Sequence, residues 1–130
     1  GDFENYTDRV AGRIGIYKTS PDEMFHCYVV PQATGNRTDT RWVTLTGEDG
    51  NGWKVVAKRP FQFSATPYSD GNIDAATHLN ELVADGSITV HVDAAQTGVG
   101  TATCGPGVLP SYRLPLETYR FDFTFVPVVK

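Results

Sequence analysis

The sequence predicts an all-β fold, an antiparallel β-sandwich with one short helix. Several stretches alternate polar and apolar residues with a period of two, and glycine-rich turns separate them. Only one stretch has apolar residues at the helical spacings of three and four, so the rhythm of repeated β-α-β units is missing. The pattern amounts to seven or eight strands without an internal repeat.

The first predicted elements are short. Residues 13–18 form a predicted strand because Ile14 and Ile16 fall on one face. A serine followed by Pro21 is typical of a helix start, with serine as the cap and proline in the first position. This helix is brief, since residues 25–30 return to β-type residues and form the next predicted strand.

The clearest hairpin signal lies in the middle of the chain. Residues 38–46 and 53–58 have strand patterns and are joined by Gly-Glu-Asp-Gly-Asn-Gly. Those turn residues accept the positive φ angles that tight hairpin turns require. Residues 61–65 alternate again, and we expect Pro60 and Pro67 to end that strand on either side.

One helix and two strands follow. The helix is predicted from Asn72, a good N-cap, through Leu82 or Val83, because its apolar residues form a narrow stripe. Residues 87–93 alternate strictly. Residues 119–126 place a row of aromatic side chains on one strand face, which is typical of a core. The row comprises Tyr119, Phe121, Phe123 and Phe125.

Size and charge narrow the possible function. A chain of 130 residues makes one domain with one real core. Its 11 basic and 15 acidic residues give a formal charge of −4, with no run of either sign, and nucleic-acid binding would need a basic face. No apolar run is long enough to span a membrane, and the N-terminus does not resemble a signal peptide. We therefore expect a cytoplasmic protein, or a piece cut from something larger.

The stretch from Gln96 to Leu114 is the most informative part of the chain. It holds several glycines and prolines, and a regular helix or strand does not tolerate that density. Loops this long inside a domain are usually functional or disordered. Predicted strands on both sides favour an ordered loop held out from a β-scaffold.

This loop carries a family resemblance. Residues 98–114, Gly-Val-Gly-Thr-Ala-Thr-Cys-Gly-Pro-Gly-Val-Leu-Pro-Ser-Tyr-Arg-Leu, resemble the end of the C-terminal domain of bacterial β-galactosidases in glycoside hydrolase family 2. Three further stretches agree, in the family's order. They are residues 4–9 (Glu-Asn-Tyr-Thr-Asp-Arg), 35–42 (Gly-Asn-Arg-Thr-Asp-Thr-Arg-Trp), and 60–65 (Pro-Phe-Gln-Phe-Ser-Ala) with 76–78 (Ala-Thr-His).

The resemblance implies a fold and an activity. The family's domain is a large two-sheet sandwich, a supersandwich similar to the galactose-mutarotase fold. Residues 1–130 would be a single C-terminal β-sandwich fragment, roughly the second half of that domain. The parent enzyme would hydrolyse terminal β-D-galactosides such as lactose with retention. The resemblance also marks residues 4–9 as the entry into the domain, with Arg9 pairing with a carboxylate.

We expect no catalytic residue within this chain. A retaining glycosidase needs two carboxylates about 5 Å apart. In the family both glutamates belong to a separate barrel domain, so the isolated chain should be inactive. The glutamates present here lie in leader, turn or surface-helix contexts and are interpreted as solvated. They are Glu4, Glu23, Glu48, Glu81 and Glu117.

Cys104 is the residue that the resemblance singles out. Well-known family members carry a tryptophan in this loop, at the mouth of the active site, where it stacks on the sugar of the aglycone subsite. Aligned on the following proline, this chain has Cys104 there, and other family members share the cysteine form. Cys104 would line the aglycone-side rim with Thr103 and Gly105. The alternative is a small residue packed inside the loop.

Two tryptophans suggest a rival function. Sandwich domains that bind sugars use exposed aromatic platforms with a few polar neighbours. Trp42 lies on a strand and Trp53 follows the hairpin turn, so either could be the platform of a stand-alone carbohydrate-binding module. Packing within the fold is the other interpretation. A mutarotase-like enzyme is a further alternative, but the histidines and glutamates form no convincing acid/base pair.

We predict no metal or cofactor site in this chain. The histidines and cysteines lack the paired short spacing of a zinc site, and the family often uses Mg and Na bound elsewhere in the parent enzyme. The expected partners are the remaining domains of a β-galactosidase and its β-galactoside substrate. A homo-oligomer is also expected, because an excised half of a sandwich leaves sheet edges unpaired.

Overall fold

One long strand organises the fold. The computed structural model describes residues 3–100 and 107–130. Along these ranges the elements are α1 (Pro21–Met24), β1 (Arg37–Thr46), β2 (Gly52–Thr66), α2 (Asp70–Ala75), a 3₁₀ turn (Leu79–Glu81), β3 (Thr89–Asp93), a second 3₁₀ turn (Pro110–Tyr112) and β4 (Phe123–Val128). The described strands form one antiparallel sheet, which confirms the predicted all-β class.

The sheet is built around β2. On one side β1 pairs with β2, from Thr46 opposite Gly52 to Arg37 opposite Phe63. On the other side two strands share β2 end to end. β4 pairs with residues 52–57 and β3 with residues 62–66. β4 and β3 therefore follow one another along the same side of β2.

The predicted hairpin is confirmed. The turn closes with hydrogen bonds from Gly47 N to Asn51 O and from Gly50 N to Gly47 O, at 2.9 and 3.0 Å. Gly50 has a φ of 81°, which a side chain rarely permits. At the start of β2, a Cβ on Gly52 would overlap the carbonyl oxygen of Leu45. Glycine at this position lets the two strands approach each other.

The prediction that Pro60 ends a strand is wrong. β2 continues through it, so residues 53–58 and 61–65 belong to one strand. A proline has no N–H to donate, but residues 58–60 lie between the partners of β4 and of β3. Opposite them β1 is irregular, with register shifts between Arg37 and Trp42 and a φ of 53° at Asp39. The missing donor therefore falls where the ladder is already interrupted.

The core lies on one face of β2. Val55 and Phe61 are 1% exposed and pack with Phe63, Ala65 and Met24 of α1. The brief helix start is as predicted, since Ser20 caps α1. The aromatic row reaches this core only in part. Phe121 and Phe123 pack against it, whereas Tyr119 and Phe125 are exposed, so the row as a whole is not a core face.

Two predicted strands are absent from the described part of the chain. Residues 13–18 and 25–30 have no strand partner, and Ile14 and Ile16 are exposed. Alternation alone does not make a strand, because its backbone groups need a neighbour to pair with.

The predicted helix is broken into two short pieces, α2 and the 3₁₀ turn. Ser69 caps α2, while the Asn72 side chain accepts from Val83 N at 2.7 Å. The Glu81 carboxylate accepts from the N–H groups of Thr77 and His78, at 2.7 and 3.2 Å. These side chains compete with the helical ladder for backbone donors.

No helix in residues 3–100 and 107–130 has the length and apolar character to cross a membrane.

Candidate functional site

The candidate site is the base of the long loop together with the N-terminal segment (residues 4–9). The loop base consists of residues 96–100 and 107–114. The N-terminal segment lies between the loop base and the sheet and contacts both.

The first end of the N-terminal segment is bound to the sheet. Asn5 N donates to Asn36 O at 2.9 Å, and Asn5 Oδ1 accepts from Thr38 N at 2.7 Å. Asn36 Nδ2 in turn donates to Asn5 O and to Gln62 Oε1, at 2.9 and 2.7 Å. Asn5, Asn36 and Gln62 are all buried, so this polar network holds the segment in a fixed place on β1 and β2.

Glu4 joins the N-terminal segment to a second loop, and the prediction that it is solvated is wrong. Its side chain is 10% exposed. It accepts hydrogen bonds from Tyr28 Oη (2.6 Å), Gly35 N (2.9 Å) and Tyr6 Oη (3.1 Å). The predicted pairing of Arg9 with a carboxylate is confirmed, at 3.0 Å from Glu4. Burial opposes ionisation, but these hydrogen bonds and the Arg9 charge hold the pKa of Glu4 below its usual value.

The second end of the segment faces the loop. Tyr6 and Arg9 exchange backbone hydrogen bonds of 3.1 and 3.0 Å, which puts Thr7 and Asp8 at the tip of a tight turn. Thr7 Oγ1 donates to Gln96 O at 3.3 Å. Asp8 uses both carboxylate oxygens. Oδ1 accepts from Val99 N at 3.0 Å and Oδ2 accepts from Gly100 N at 2.7 Å.

The charge state of Asp8 follows from these contacts. Burial raises the pKa of an acid, but the N–H groups of Gly100 and Val99 stabilise the carboxylate more, and the pKa of Asp8 lies below its usual value. Asp8 is therefore ionised at neutral pH and is a charge-assisted acceptor for the loop backbone.

The two sides of the loop base are bound to each other. Gly98 N donates to Tyr112 O at 2.8 Å, and Leu114 N donates to Thr97 Oγ1 at 3.2 Å. On the returning side, Arg113 Nε donates to Val108 O at 2.8 Å. A cavity of about 450 Å³ lies against this base, lined by Asp8, Arg9, Val99, Gly100, Gly107, Leu109 and Tyr112.

The predicted rim residues cannot be placed. Thr103, Cys104 and Gly105 lie outside the described residues, and their role stays a prediction. The structure shows that Thr7 and Asp8 bind the loop base, and local sequence patterns did not predict these contacts. Asp8 gives no catalytic or metal-binding motif, and its membership in the 4–9 stretch of the family resemblance was the only signal.

The two tryptophans do not form one platform. Trp42 is 44% and Trp53 is 53% exposed. Trp42 pairs with Val56 and Trp53 with Leu45, so the two rings lie on opposite faces of the sheet. Lys54 Nζ lies 4.9 Å from the centre of the Trp42 ring. Only one of them at a time could contact a given sugar.

A second and larger hollow lies beside β1. This groove, of about 1170 Å³, runs between residues 10–21 and β1, and Trp42 is among its lining residues. In the described part of the chain β1 is an edge strand, since it pairs only with β2.

No three His, Cys, Asp or Glu side chains cluster as metal ligands would within residues 3–100 and 107–130.

Comparison with known proteins adds independent information. The family model for the β-galactosidase small chain matches residues 1–125. A β-galactosidase of Priestia megaterium (strain DSM 319 / IMG 1521) is 39% identical over 131 residues, which cover 98% of this chain. Those of Streptococcus thermophilus and Pseudoalteromonas haloplanktis are 35% and 33% identical, over 98% and 95% of this chain. The chain spans only 12–13% of the length of these relatives.

Proposed function

Since the chain belongs to the family of the β-galactosidase small chain, we propose that it works as the C-terminal β-sandwich part of a larger, cytoplasmic β-galactosidase. That enzyme would hydrolyse terminal β-D-galactosides such as lactose with retention of configuration. Residues 1–130 would act as one domain that supports the active site and the packing of the enzyme.

One observation carries this proposal. Two stretches that carry the family resemblance, residues 4–9 and 98–114, contact each other through Asp8, Val99 and Gly100. The first is fixed on the sheet by Asn5. The base of the loop is therefore hydrogen-bonded through the N-terminal segment to the sheet, and a loop that offers residues to a substrate needs such support.

The contacts of Glu4 and Asp8 support a structural role for both acids. A retaining glycosidase uses a nucleophile and an acid/base 5–5.5 Å apart, both free to reach the sugar. Glu4 and Asp8 instead use their oxygens as acceptors for donors of the fold. The catalytic pair would come from another part of the enzyme, and bound Mg or Na would lie there too.

Within this enzyme we assign the loop to the active-site rim. Thr103, Cys104 and Gly105 follow Gly100 in sequence and precede the returning side of the base. They would form part of the wall beside the leaving group of the substrate. A thiol has no aromatic face, so a sugar leaving group would be held here by contact and not by stacking.

The groove beside β1 supports the proposal that more protein packs here. Its lining includes exposed apolar side chains next to an unpaired strand edge, and such surfaces usually mark an interaction site. These side chains are Val10, Ile14, Ile16, Tyr17, Ile88 and Val90. The remaining domains of the enzyme, or a second copy of this chain, would cover them and add the second layer of the sandwich.

A stand-alone carbohydrate-binding module is the second candidate. The half-exposed Trp42 in the wall of the groove favours it. Trp42→Ala would then abolish sugar binding without unfolding the chain, while Trp53→Ala, on the opposite face, would serve as the matched control. NMR titration with galactose and lactose separates the cases. Binding tighter than about 1 mM that depends on Trp42 would favour the module.

In the main test, this chain replaces the matching segment of the Priestia megaterium β-galactosidase, which gives an exchanged enzyme. We expect the exchanged enzyme to hydrolyse o-nitrophenyl β-D-galactoside and the same enzyme lacking the segment to be inactive. The isolated 130-residue chain should show no turnover. Hydrolysis by the isolated chain would contradict the absence of a catalytic pair, and an exchanged enzyme no better than the truncated one would contradict the proposed role.

A further inference from the structure

We propose that Asp8 is a positioning residue for the β-galactosidase reaction. Its carboxylate fixes the backbone of Val99 and Gly100, and so determines where the loop leaves the domain on the leaving-group side of the substrate. This inference rests on the proposed function. Asp8 would act through the backbone of the loop and not by direct contact with the reacting atoms.

The contact is specific in its geometry. The two oxygens of Asp8 accept one N–H each, from adjacent residues, at 3.0 and 2.7 Å. Two bonds from one carboxylate to consecutive amides set the direction of the backbone as well as its position. Because the acceptor is charged, each bond is stronger than one between neutral groups.

The close packing of the loop base beside this carboxylate requires glycine at two positions. A Cβ on Gly98 would stand 2.6 Å from Asp8 Oδ2 and 2.9 Å from Tyr112 Cβ. Gly100 has a φ of 60°, and a Cβ there would stand 2.9 Å from Val108 N. The chain thus leaves and returns at one narrow place, with Asp8 beside it. Only glycine admits both close approaches.

Asp8 is itself well fixed. The turn that carries it is closed by the Tyr6 and Arg9 backbones, and Glu4 holds both of their side chains. Among the described residues, Asp8 is the only side chain that binds the amides of Val99 and Gly100. A continuous path of hydrogen bonds therefore runs from the sheet through residues 4–9 to the loop.

The test uses the exchanged Priestia megaterium enzyme with Asp8→Ala or Asp8→Asn. We expect kcat/KM for lactose to fall about tenfold or more with alanine, a barrier change of about 1.4 kcal/mol. Asparagine should lose less, because its oxygen can still accept one amide. Inhibition by galactose, which lacks a leaving group, should change less than about twofold. The same substitutions at the exposed Asp74 of α2 serve as the matched control.

A merely structural role predicts another pattern. Equal losses for lactose and for galactose binding, together with a lower melting temperature, would overturn the inference, as would kcat/KM within about twofold of wild type. If the wild-type exchange itself is inactive, the proposed function fails and the catalytic part of this inference fails with it.

The structural part has a readout of its own. In the 130-residue chain, Asp8→Ala should speed hydrogen exchange at the amides of Val99 and Gly100 about tenfold or more and leave the β2 amides unchanged. Gly98→Ala should also speed exchange at these amides, because its Cβ would displace the Asp8 carboxylate and press on Tyr112. In the double variant the increase should be smaller than the two single effects combined, since both variants disrupt the contact with Asp8. Additive effects, or unchanged exchange, would overturn the assigned contact between Asp8 and the loop.

Discussion

Replacing Glu4 by alanine should lower the free energy of unfolding of the chain by about 3 kcal/mol. The carboxylate is 10% exposed and accepts from Tyr28, Gly35 and Tyr6. A hydrogen bond to a charged group contributes about 1.5–3 kcal/mol, and contributions within one network do not simply add. The Arg9 side chain is 56% exposed, so its ion pair with Glu4 adds little to this sum.

The assay is urea unfolding of the chain and of two variants. Glu4→Ala should move the midpoint and leave the slope unchanged. Glu4→Gln keeps the shape and one acceptor oxygen, so its loss should be about half as large. Glu48→Gln, at an exposed position of the hairpin turn, is the matched control and should behave as wild type. A Glu4→Ala variant within about 0.5 kcal/mol of wild type would refute the reasoning.

Three further predictions concern stability. Phe61→Ala, at a 1% exposed core position, should cost about 3–5 kcal/mol in the same urea assay, and a loss below about 1 kcal/mol would contradict the core described above. Gly52→Ala should cost about 1–3 kcal/mol, because its Cβ would overlap the carbonyl of Leu45, and a neutral variant would mean that the hairpin can widen there. The pKa values of Glu4 and Asp8 are lowered on folding from their usual 4.5 and 3.8. Both therefore stabilise the chain fully above about pH 5 and lose this contribution as the pH falls through the folded values, so the melting temperature should drop below pH 4.5 and drop less in Glu4→Gln.

The hairpin of β1 and β2 was predictable, because its signals are local. The Asp-Gly-Asn-Gly turn requires positive φ angles, and the alternation on either side sets the strand faces. Pro60 shows the limit of such rules. A proline normally breaks a central strand, but here it occupies the gap between two partner strands. That gap depends on how β3 and β4 share β2. The residues next to Pro60 in sequence carry no information about this arrangement.

The broken helix is a second case in which a local sequence rule fails. Here the rule predicts a longer element than the structure contains. The apolar stripe from Ile73 onward has the period of a helix, but no continuous helix forms there. Asn72 and Glu81 then bind backbone groups of the following or preceding turn and stop the helical ladder. Whether such a side chain points to solvent or to the backbone depends on packing.

Local alternation, turn chemistry and the family motifs therefore establish the all-β class, the central hairpin and the family, since each of these signals is a short stretch of sequence that can be recognised without knowing its neighbours in space. The organisation of the candidate site depends on contacts between distant ones. Glu4 meets Gly35, and Asp8 meets Gly100 across 92 positions of sequence. In sequence both acids resemble ordinary solvated side chains. Their roles arise only because the fold brings the N-terminal segment against the base of the loop and against Gly35, where backbone N–H groups donate to the two carboxylates.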